Sequence, residues 1–341
     1  MKKLRVGIVG CGNIFPMHAF PILHNEACEL VAVCDNKEAR VQKAAEQFNC
    51  KSYTDYKQMI GAENLDVLHI CLPHYLHAPV AIYALNHNVH VMTEKPMSID
   101  FEDAQAMVDA AKKNGVILGV IFQNRYNPGS QLIKKTLASG ELGKIITGKL
   151  SVTWNRSDEY YGKSDWKGTW EKEGGGVIID QAIHTMDLMH WFVGEEIDFI
   201  DANISNRGHV VIQVEDSAEG IIRYKNGVTT AFHAVNYYGY DAPVEIEIYC
   251  EKGMVQMIGD KAIIKFNDAR EYTADTNPSE SFEYGDVKQY WGVSHIKQIK
   301  LFYEALLAGI EPDINGIEAM KTQKMISAIY QSGKEQTKVI F

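Results

Sequence analysis

The stretch Val6-Gly7-Ile8-Val9-Gly10-Cys11-Gly12-Asn13-Ile14 decides the fold that this sequence predicts. It is a strand-length apolar run that passes directly into two closely spaced glycines. Gly10 permits a tight turn between a buried strand and a helix, and Gly12 lets backbone amides approach a pyrophosphate at the helix N-terminus. A Gly-x-Gly sequence alone is weak evidence, so the rest of the chain decides how it is interpreted.

Strand-length apolar runs alternate with helical patterns through the first 123 residues. After the opening strand, such runs occupy residues 30–33, 67–70, 89–92 and 117–120. An apolar stripe at helical spacing lies between the first two of these, formed by Val41, Ala44, Ala45 and Phe48. Alternation of this kind predicts a parallel sheet with helices on both faces.

Asp35 closes the second strand, 23 residues after Gly12. A carboxylate there accepts hydrogen bonds from the adenosine ribose hydroxyls and repels a 2′-phosphate, so the sequence favours NAD over NADP. The fingerprint departs from its usual form at its third position, where Phe15 replaces glycine or alanine and Pro16 follows. We expect the ring to push the helix away from the strand and to change the pyrophosphate contacts in detail, whereas proline fits a first helical turn.

Past residue 124 the pattern changes to strands with few intervening helices. Many of them alternate apolar and polar residues, as in Val244-Glu245-Ile246-Glu247-Ile248-Tyr249, which predicts a sheet with one covered face. The predicted strands occupy residues 145–154, 197–206, 218–224, 228–236, 244–250, 254–258 and 261–266, and helices return at 294–309 and 315–331. The predicted class is α/β, with a doubly wound parallel sheet over residues 1–123 and an α+β domain with a large open, predominantly antiparallel sheet over residues 124–341.

Composition is that of a soluble cytoplasmic protein of two domains. The chain has 341 residues, of which 46% are apolar and 23% charged. Its formal charge of −10, without a long block of either sign, argues against a nucleic-acid surface. No apolar run approaches the length of a membrane span. The six cysteines are dispersed singly, without a Cys-x-x-Cys pair, as expected of reduced thiols in the cytoplasm.

The stretch Thr93-Glu94-Lys95-Pro96 follows the apolar run 89–92 directly. A lysine at the carboxyl end of a buried strand lies where open α/β sheets bind their ligands. Pro96 holds the preceding residue extended, so Lys95 projects from a defined backbone. Alone, Glu-Lys-Pro is an exposed turn more often than a site, and only its context favours a functional role.

A second dense signal is Gly174-Gly175-Gly176, which precedes Asp180, His184 and Asp187. On an α-helix these three positions share one face. A carboxylate one turn from a histidine fixes the tautomer of the imidazole and raises its basicity. A helix whose polar face meets solvent is the alternative, and for Asp187 alone both readings stay open.

The chemistry of alcohol oxidation suits these groups. It requires a base for the hydroxyl proton and stabilisation of the developing alkoxide. His184 is the preferred base, since its reference pKa of about 6.5 makes the neutral form available. Lys95 can donate a charged hydrogen bond to the same oxygen, and Asp180 would orient one of the two.

Together these motifs resemble the Gfo/Idh/MocA family of NAD(P)-dependent oxidoreductases, which includes inositol dehydrogenases and glucose-fructose oxidoreductase. The resemblance covers essentially the whole chain. It rests on Gly10-Cys11-Gly12-Asn13-Ile14, Asp35, Cys71-Leu72-Pro73-His74 with His77, Glu94-Lys95-Pro96, Asn124-Arg125-Tyr126-Asn127-Pro128, and the glycines before Asp180-x-x-x-His184. This chain has Ala182 where the family's Asp-x-Gly-x-His pattern has glycine.

The resemblance implies a Rossmann domain followed by an α/β domain with a large open sheet. By position it implies Lys95, Asp180 and His184 as catalytic residues. It also implies that Glu94 neighbours the nicotinamide ribose and that Arg40 contacts the adenine side. The expected cofactor-binding residues are Gly10, Gly12, Asn13, Ile14, Asp35, Arg40, Leu72, Pro73, His74, His77, Glu94, Lys95 and Gln123.

Substrate contacts and metal ligands give weaker signals. The spacing of Cys71, His74 and His77 suits a metal site. However, the set contains only one thiol and follows a strand at the position that faces the cofactor, so we expect no metal there. The aromatic segment 160–170 is either an ordinary packed subdomain or a surface that binds a carbohydrate. The expected substrate-binding residues are Lys95, Arg125, Asn127, Trp154, Trp166, Trp170, Asp180 and His184.

Three function classes remain open. The favoured one is an NAD-dependent dehydrogenase that acts on a secondary hydroxyl of a sugar, a sugar derivative or an inositol. The second is a glycoside hydrolase or lyase that keeps NAD bound for a transient oxidation, and the third is a non-catalytic NAD-sensing protein. A large sheet with an uncovered apolar face usually needs a partner, so we expect a homodimer or homotetramer.

Overall fold

The computed structural model describes residues 3–276 and 292–341. Of these residues, 3–123 and 292–321 form one compact unit, and 124–276 and 322–341 form a second. Residues 292–321, predicted as part of the second domain, group by their contacts with the first unit. Apolar packing explains this, because Ile299, Phe302 and Tyr303 are buried in the same core cluster as Val6 and Ile8.

The described chain contains the following elements. The strands are β1 Leu4–Val9, β2 Cys28–Cys34, β3 Lys51–Tyr53, β4 Val67–Ile70, β5 His90–Thr93, β6 Leu118–Val120, β7 Ile145–Thr153, β8 Ile197–Ser205, β9 Ser217–Tyr224, β10 Thr229–Val235, β11 Glu245–Cys250, β12 Gly253–Ile258, β13 Lys261–Phe266, β14 Glu271–Ala274 and β15 Val339–Ile340. The α-helices are α1 Phe15–Leu23, α2 Glu38–Phe48, α3 Tyr56–Glu63, α4 His77–Asn86, α5 Phe101–Asn114, α6 Pro128–Ala138, α7 Asp158–Gly162, α8 Ile183–Val193, α9 Gly292–Ala308 and α10 Gly316–Glu335. None of the described helices combines the length and the apolar character that crossing a membrane requires.

The first unit is built on a parallel sheet of six strands in the order β3-β2-β1-β4-β5-β6. The predicted parallel sheet is confirmed. Its central strands are largely buried on both faces, which is why their sequences are mostly apolar and do not alternate. The ends of α5 also follow local chemistry, because Asp100 accepts a hydrogen bond from Asp103 N at the N-cap and Gly115 adopts a left-handed φ of 65° at the C-cap.

The second unit contains a sheet of nine strands in the order β14-β13-β12-β11-β7-β10-β9-β8-β15. Only β7 and β10 pair in parallel among these neighbours, so the predicted predominantly antiparallel sheet is confirmed. Alternation holds along β11, where Ile246 and Ile248 are buried while Glu245 and Tyr249 are exposed. Helices α6 and α8 pack on the covered face.

A buried ion pair joins three elements of the second unit. The guanidinium of Arg125 donates to both carboxylate oxygens of Asp187 on α8, at 2.7 and 2.6 Å. The hydroxyl of Thr322 on α10 donates to the same carboxylate at 2.6 Å. Asp187 is 1% exposed, so its carboxylate faces the interior and not solvent.

Asp187→Ala is predicted to destabilise the protein strongly, because it leaves the Arg125 guanidinium buried without its carboxylate. The expected loss is about 3–5 kcal/mol in the free energy of unfolding, measured by denaturant titration. Glu196→Ala is the control, since it removes an ion pair with Lys225 in which both side chains are exposed. Equal unfolding midpoints for the two variants would contradict the structural role of Asp187.

Candidate active site

The glycine turn after β1 is held by backbone and side-chain contacts at the carboxyl end of the first sheet. Gly10 has a φ of +95°, and a methyl group there would overlap the carbonyl oxygen of Cys71. A methyl group at Gly12 would meet no atom within 4 Å. The space beside Gly12 is therefore open, as a turn that admits a pyrophosphate requires.

Asp35 lies beside this turn and is 5% exposed. Its carboxylate accepts hydrogen bonds from Cys11 N at 2.9 Å and Lys37 N at 2.9 Å. The guanidinium of Arg40 donates to it at 3.2 Å. Asp35 and Arg40, both expected on the adenosine side, are thus in direct contact, and Asp35 is tied to the glycine turn itself.

The phenylalanine at the third fingerprint position, Phe15, packs in the hydrophobic core. Phe15 is 4% exposed, and its ring packs edge-on against Phe48 at a centroid distance of 5.4 Å. Pro16 lies in the first turn of α1, as expected. The helix continues past Pro21 to Leu23.

The loops after β4 and β5 are fastened to each other by one histidine. The side chain of His77 is completely buried, and its Nδ1 and Nε2 lie 2.7 Å from Pro96 O and Leu72 O respectively. Burial lowers the pKa of His77, with the two carbonyl groups opposing that effect. His77 therefore positions the Leu72 loop and the Glu94-Lys95-Pro96 turn through their backbones.

Lys95 lies two residues beyond the end of β5 and is partly exposed, with a cis peptide bond to Pro96. Its backbone N–H donates to Glu94 Oε2 at 3.2 Å. Glu94 is 7% exposed and points inward. The turn that was identified from its sequence is thus a defined structure at the carboxyl edge of the parallel sheet.

In the second unit the glycine run leads into a π-helix, Val177–Ala182, before α8 begins. The predicted regular α-helix, in which Asp180, His184 and Asp187 share one face, is therefore wrong over these residues. A π-helix has more residues per turn, so the direction of Asp180 differs from that prediction. Methyl groups at Gly175 and Gly176 would overlap the Tyr330 hydroxyl and the Glu215 carbonyl oxygen, which explains why glycines lie there.

The carboxylate of Asp180 is surrounded by residues that the sequence analysis did not assign to the site. Lys167 Nζ lies 2.5 Å from Asp180 Oδ2, Gln181 Nε2 lies at 2.6 Å and the Tyr160 hydroxyl at 3.3 Å. Lys167 is also 3.5 Å from Glu173. The signal available in the sequence was the aromatic segment 160–170, which contains Lys167, but the pairing with Asp180 depends on the tertiary fold.

Cations and aromatic rings alternate next to Asp180. The Arg156 guanidinium lies 5.0 Å from the Trp154 ring centroid and 5.5 Å from that of Tyr160, and Lys167 Nζ lies 5.1 Å from Tyr160 and 4.6 Å from Trp166. Such contacts fix the rings in place. Trp154 and Trp166, both expected to bind substrate, therefore belong to one connected cluster that includes Asp180.

Burial and charge shift the pKa values in this cluster. Burial and then the charge of Asp180 raise the pKa of Tyr160 to about 12, so the hydroxyl stays protonated. Burial opposes the charge of Lys167, but Asp180 outweighs it and the pKa of Lys167 lies above its usual range. Burial and then Asp180 raise the pKa of Glu173 to about 8. The arrangement keeps Lys167 cationic beside Asp180.

Three other residues expected to bind substrate have protein partners. Arg125 pairs with Asp187, as described above. Asn127 Nδ2 donates to Asp260 at 2.8 Å, and Trp170 Nε1 donates to Gln213 O at 2.9 Å. These side chains support the fold of the second unit, and their contact with substrate stays a prediction.

Comparison with known proteins assigns both parts of the chain. Residues 4–122 match the family model described as the oxidoreductase family with an NAD-binding Rossmann fold, and residues 130–256 match the GFO/IDH/MocA C-terminal domain. The chain belongs to the GFO/IDH/MocA oxidoreductase family. This confirms the resemblance inferred from the motifs, and with it an NAD-dependent enzyme.

Individual relatives cover nearly the full length. Inositol 2-dehydrogenase of Salmonella typhimurium is 28% identical over 91% of this chain and 88% of that protein. D-Glucoside 3-dehydrogenase of Escherichia coli is 26% identical over 99% and 97%. The WlbA dehydrogenase of Bordetella pertussis, solved with NADH and UDP-GlcNAcA, is 29% identical with a TM-score of 0.87, over 100% of this chain and 99% of that one.

The two glycines of the fingerprint should respond differently to alanine. Gly10→Ala is expected to destabilise the fold by about 1–3 kcal/mol, because the methyl group collides with backbone and the positive φ disfavours alanine. Gly12→Ala should leave the unfolding midpoint unchanged while weakening NAD binding about tenfold, since its methyl group occupies the space open to the pyrophosphate. Thermal unfolding and calorimetric titration with NAD measure the two effects, and full NAD affinity in Gly12→Ala would contradict this assignment.

Glu173 should make stability depend on pH. Its folded pKa of about 8 lies above the ordinary value of 4.5, so the folded chain holds this proton more tightly. Stability should therefore fall as the pH rises through that window, by at most about 1.4 kcal/mol per pH unit. Glu173→Gln does not titrate and should lack this slope. Denaturant unfolding of both proteins at several pH values checks it, and parallel pH dependences would contradict the shift.

Proposed function

We propose that this enzyme oxidises a secondary hydroxyl of a sugar, a sugar derivative or an inositol, with NAD as the hydride acceptor. The observation that carries the proposal is the cluster at Asp180, where a carboxylate held by Lys167 and Tyr160 adjoins aromatic rings and polar side chains. Aromatic faces pack against sugar C–H groups, and the polar groups suit hydroxyls. The relatives named above as inositol and glucoside dehydrogenases support the same substrate class.

His184 is proposed as the base that takes the hydroxyl proton. It lies in the first turn of α8, partly exposed, two residues after the π-helix ends. A neutral imidazole near pH 7 can accept this proton. Asp180, which is ion-paired with the Lys167 ammonium, is proposed to orient the hydroxyl or the imidazole.

Lys95 is proposed as the donor to the oxygen on which negative charge develops. A cation placed there stabilises the transition state more than the ground state. NAD supplies the hydride acceptor when it is bound. The residues proposed to hold it are Gly10, Gly12, Asn13, Ile14, Asp35, Arg40, Leu72, Pro73, His74, His77, Glu94, Lys95 and Gln123.

The outward face of the nine-stranded sheet is proposed to pair with a second copy of the chain in a homodimer or homotetramer. It exposes apolar side chains, among them Ile221 and Tyr249. It also carries an ion pair between Lys149 and Glu247, at 3.1 Å.

The compartment is proposed to be the cytoplasm, where the six free cysteines would stay reduced.

The test is a panel of inositols, aldoses and glycosides assayed with NAD and NADP in parallel. At least one secondary alcohol should reduce NAD, and reduction should be weaker with NADP because of Asp35. Product formation without NADH accumulation would indicate instead an enzyme that retains its cofactor. Binding of NAD without any turnover would indicate a sensor.

Lys95→Met should lower kcat by roughly 10²-fold, the effect of removing one charge-stabilising donor, with a smaller change in the Kd of NAD. Lys112→Met, at the exposed end of α5, is the matched control and should behave as wild type. Near-full turnover of Lys95→Met at saturating NAD would refute the role of this lysine.

A further inference from the structure

Two buried histidines face the carboxylate of Glu94, the residue before Lys95. His18 Nε2 and His295 Nε2 each lie 3.0 Å from Glu94 Oε1. Both histidine side chains are at most 1% exposed. They come from α1 and α9, so two helices of the first unit meet at the turn that follows β5.

The contacts continue behind His18 into the core. His18 Nδ1 lies 2.7 Å from His69 Nδ1, and His69 Nε2 lies 2.8 Å from the hydroxyl of Tyr303. His69 is on β4 and Tyr303 is on α9. The Tyr303 ring also stacks on the His69 ring at a centroid distance of 5.8 Å. A line of buried polar groups therefore runs from Tyr303 to Glu94.

The carboxylate fixes the direction of every hydrogen bond in this line. An ionised carboxylate only accepts, so His18 must carry its proton on Nε2. Burial lowers the pKa of His18, which leaves the ring neutral and its Nδ1 an acceptor. His69 must then donate from Nδ1. Since burial also lowers the pKa of His69 far below its usual range, its Nε2 accepts from the Tyr303 hydroxyl, whose own pKa burial raises.

Glu94 is held charged at the end of the line. Burial alone would raise its pKa, but His295 and the hydrogen bonds from both histidines outweigh burial and keep the pKa well below its usual range. One oxygen, Oε1, faces the two histidines. The other, Oε2, accepts the backbone N–H of Lys95 at 3.2 Å. The buried histidines thus orient the Glu94 carboxylate, and the carboxylate in turn binds the backbone N–H of Lys95.

We propose that Tyr303, His69, His18 and His295 are positioning residues, which hold the Glu94 carboxylate against the backbone N–H of Lys95. The inference rests on the proposed function of Lys95. It adds that the direction in which Lys95 projects is set by hydrogen bonds that begin on α9, far from the turn in sequence. A residue in this line affects turnover through Lys95 and touches no substrate.

A bound cation is the competing explanation, and it reverses the tautomer of His18. The ligand atoms of His18, Glu94 and His295 lie within 4.8 Å of one another. A metal would take the lone pair of His18 Nε2 and require its proton on Nδ1.

Nitrogen-15 spectra of histidine-labelled protein distinguish the two tautomers of His18. The signals are assigned by their loss in His18→Asn and His69→Asn. We expect His18 protonated on Nε2, His69 on Nδ1, and no zinc by elemental analysis. The opposite tautomer of His18, or one equivalent of zinc, would overturn the proposal.

Tyr303→Phe tests the positioning role, because it removes the first donor and keeps the ring. We expect kcat to fall about fivefold, the effect of one neutral hydrogen bond, and the Lys95 amide to exchange its hydrogen faster. Tyr224→Phe is the matched control, since Tyr224 is also 1% exposed and stacks on a histidine, His190, in the second unit. In this control, kcat and the exchange of the Lys95 amide should stay unchanged.

The outcomes separate this inference from the proposed function. If the wild type oxidises an alcohol but Tyr303→Phe matches Tyr224→Phe in kcat and in Lys95 exchange, the positioning role is wrong and the function stands. If the wild type turns over no alcohol, the tautomers and the Lys95 exchange rate still decide the positioning role. Glu94→Gln should lower kcat more than Tyr303→Phe does. Both oxygens of Glu94 accept hydrogen bonds, so the amide group that replaces one of them must face either the histidine N–H groups or the Lys95 N–H. Wild-type kcat in Glu94→Gln would overturn the proposal.

Discussion

A carboxylate that is removed from water must be given a cation or several hydrogen-bond donors, and both units of this chain are organised around that requirement. In the first unit, Glu94 receives N–H groups from two histidines and from Lys95. In the second unit, Arg125 serves Asp187 and Lys167 serves Asp180. Because these partners come from distant elements, satisfying each charge also fixes how helices and loops pack. The reactive groups are consequently oriented from the interior.

Most strands could be predicted because burial leaves a direct pattern. β4 is buried on both faces and is apolar apart from His69, and β11 alternates because one face is exposed. The strands that were not predicted, β3, β14 and β15, are only two to four residues long, too short to show a pattern of their own, so they depend on pairing with a neighbour. The helical period over 294–309 predicted α9, but a period does not say which core a helix joins.

In the candidate site, too, local features could be predicted from the sequence and long-range ones could not. Lys95, Asp180 and His184 stand in short motifs, and each is recognisable from its immediate neighbours. Lys167 lies 13 residues before Asp180, and His295 lies 277 residues after His18, so neither partnership leaves a local trace. The π-helix was missed because no residue pattern within Val177–Ala182 distinguishes a π-helix from an α-helix, and the packing of Glu215 and Tyr330 around the preceding glycines is tertiary.

Each unit takes one of its segments from beyond residue 291, and this bears on how the protein is made. The first unit lacks Ile299, Phe302 and Tyr303 from its core until α9 has emerged from the ribosome. The second lacks the Tyr330 hydroxyl, which donates to Glu215 and accepts from Ile179 N beside the glycine run. Domains usually fold in order as they are synthesised. Here neither core can close before the residues beyond 291 have been made, so both nascent units would expose apolar surface to chaperones until then.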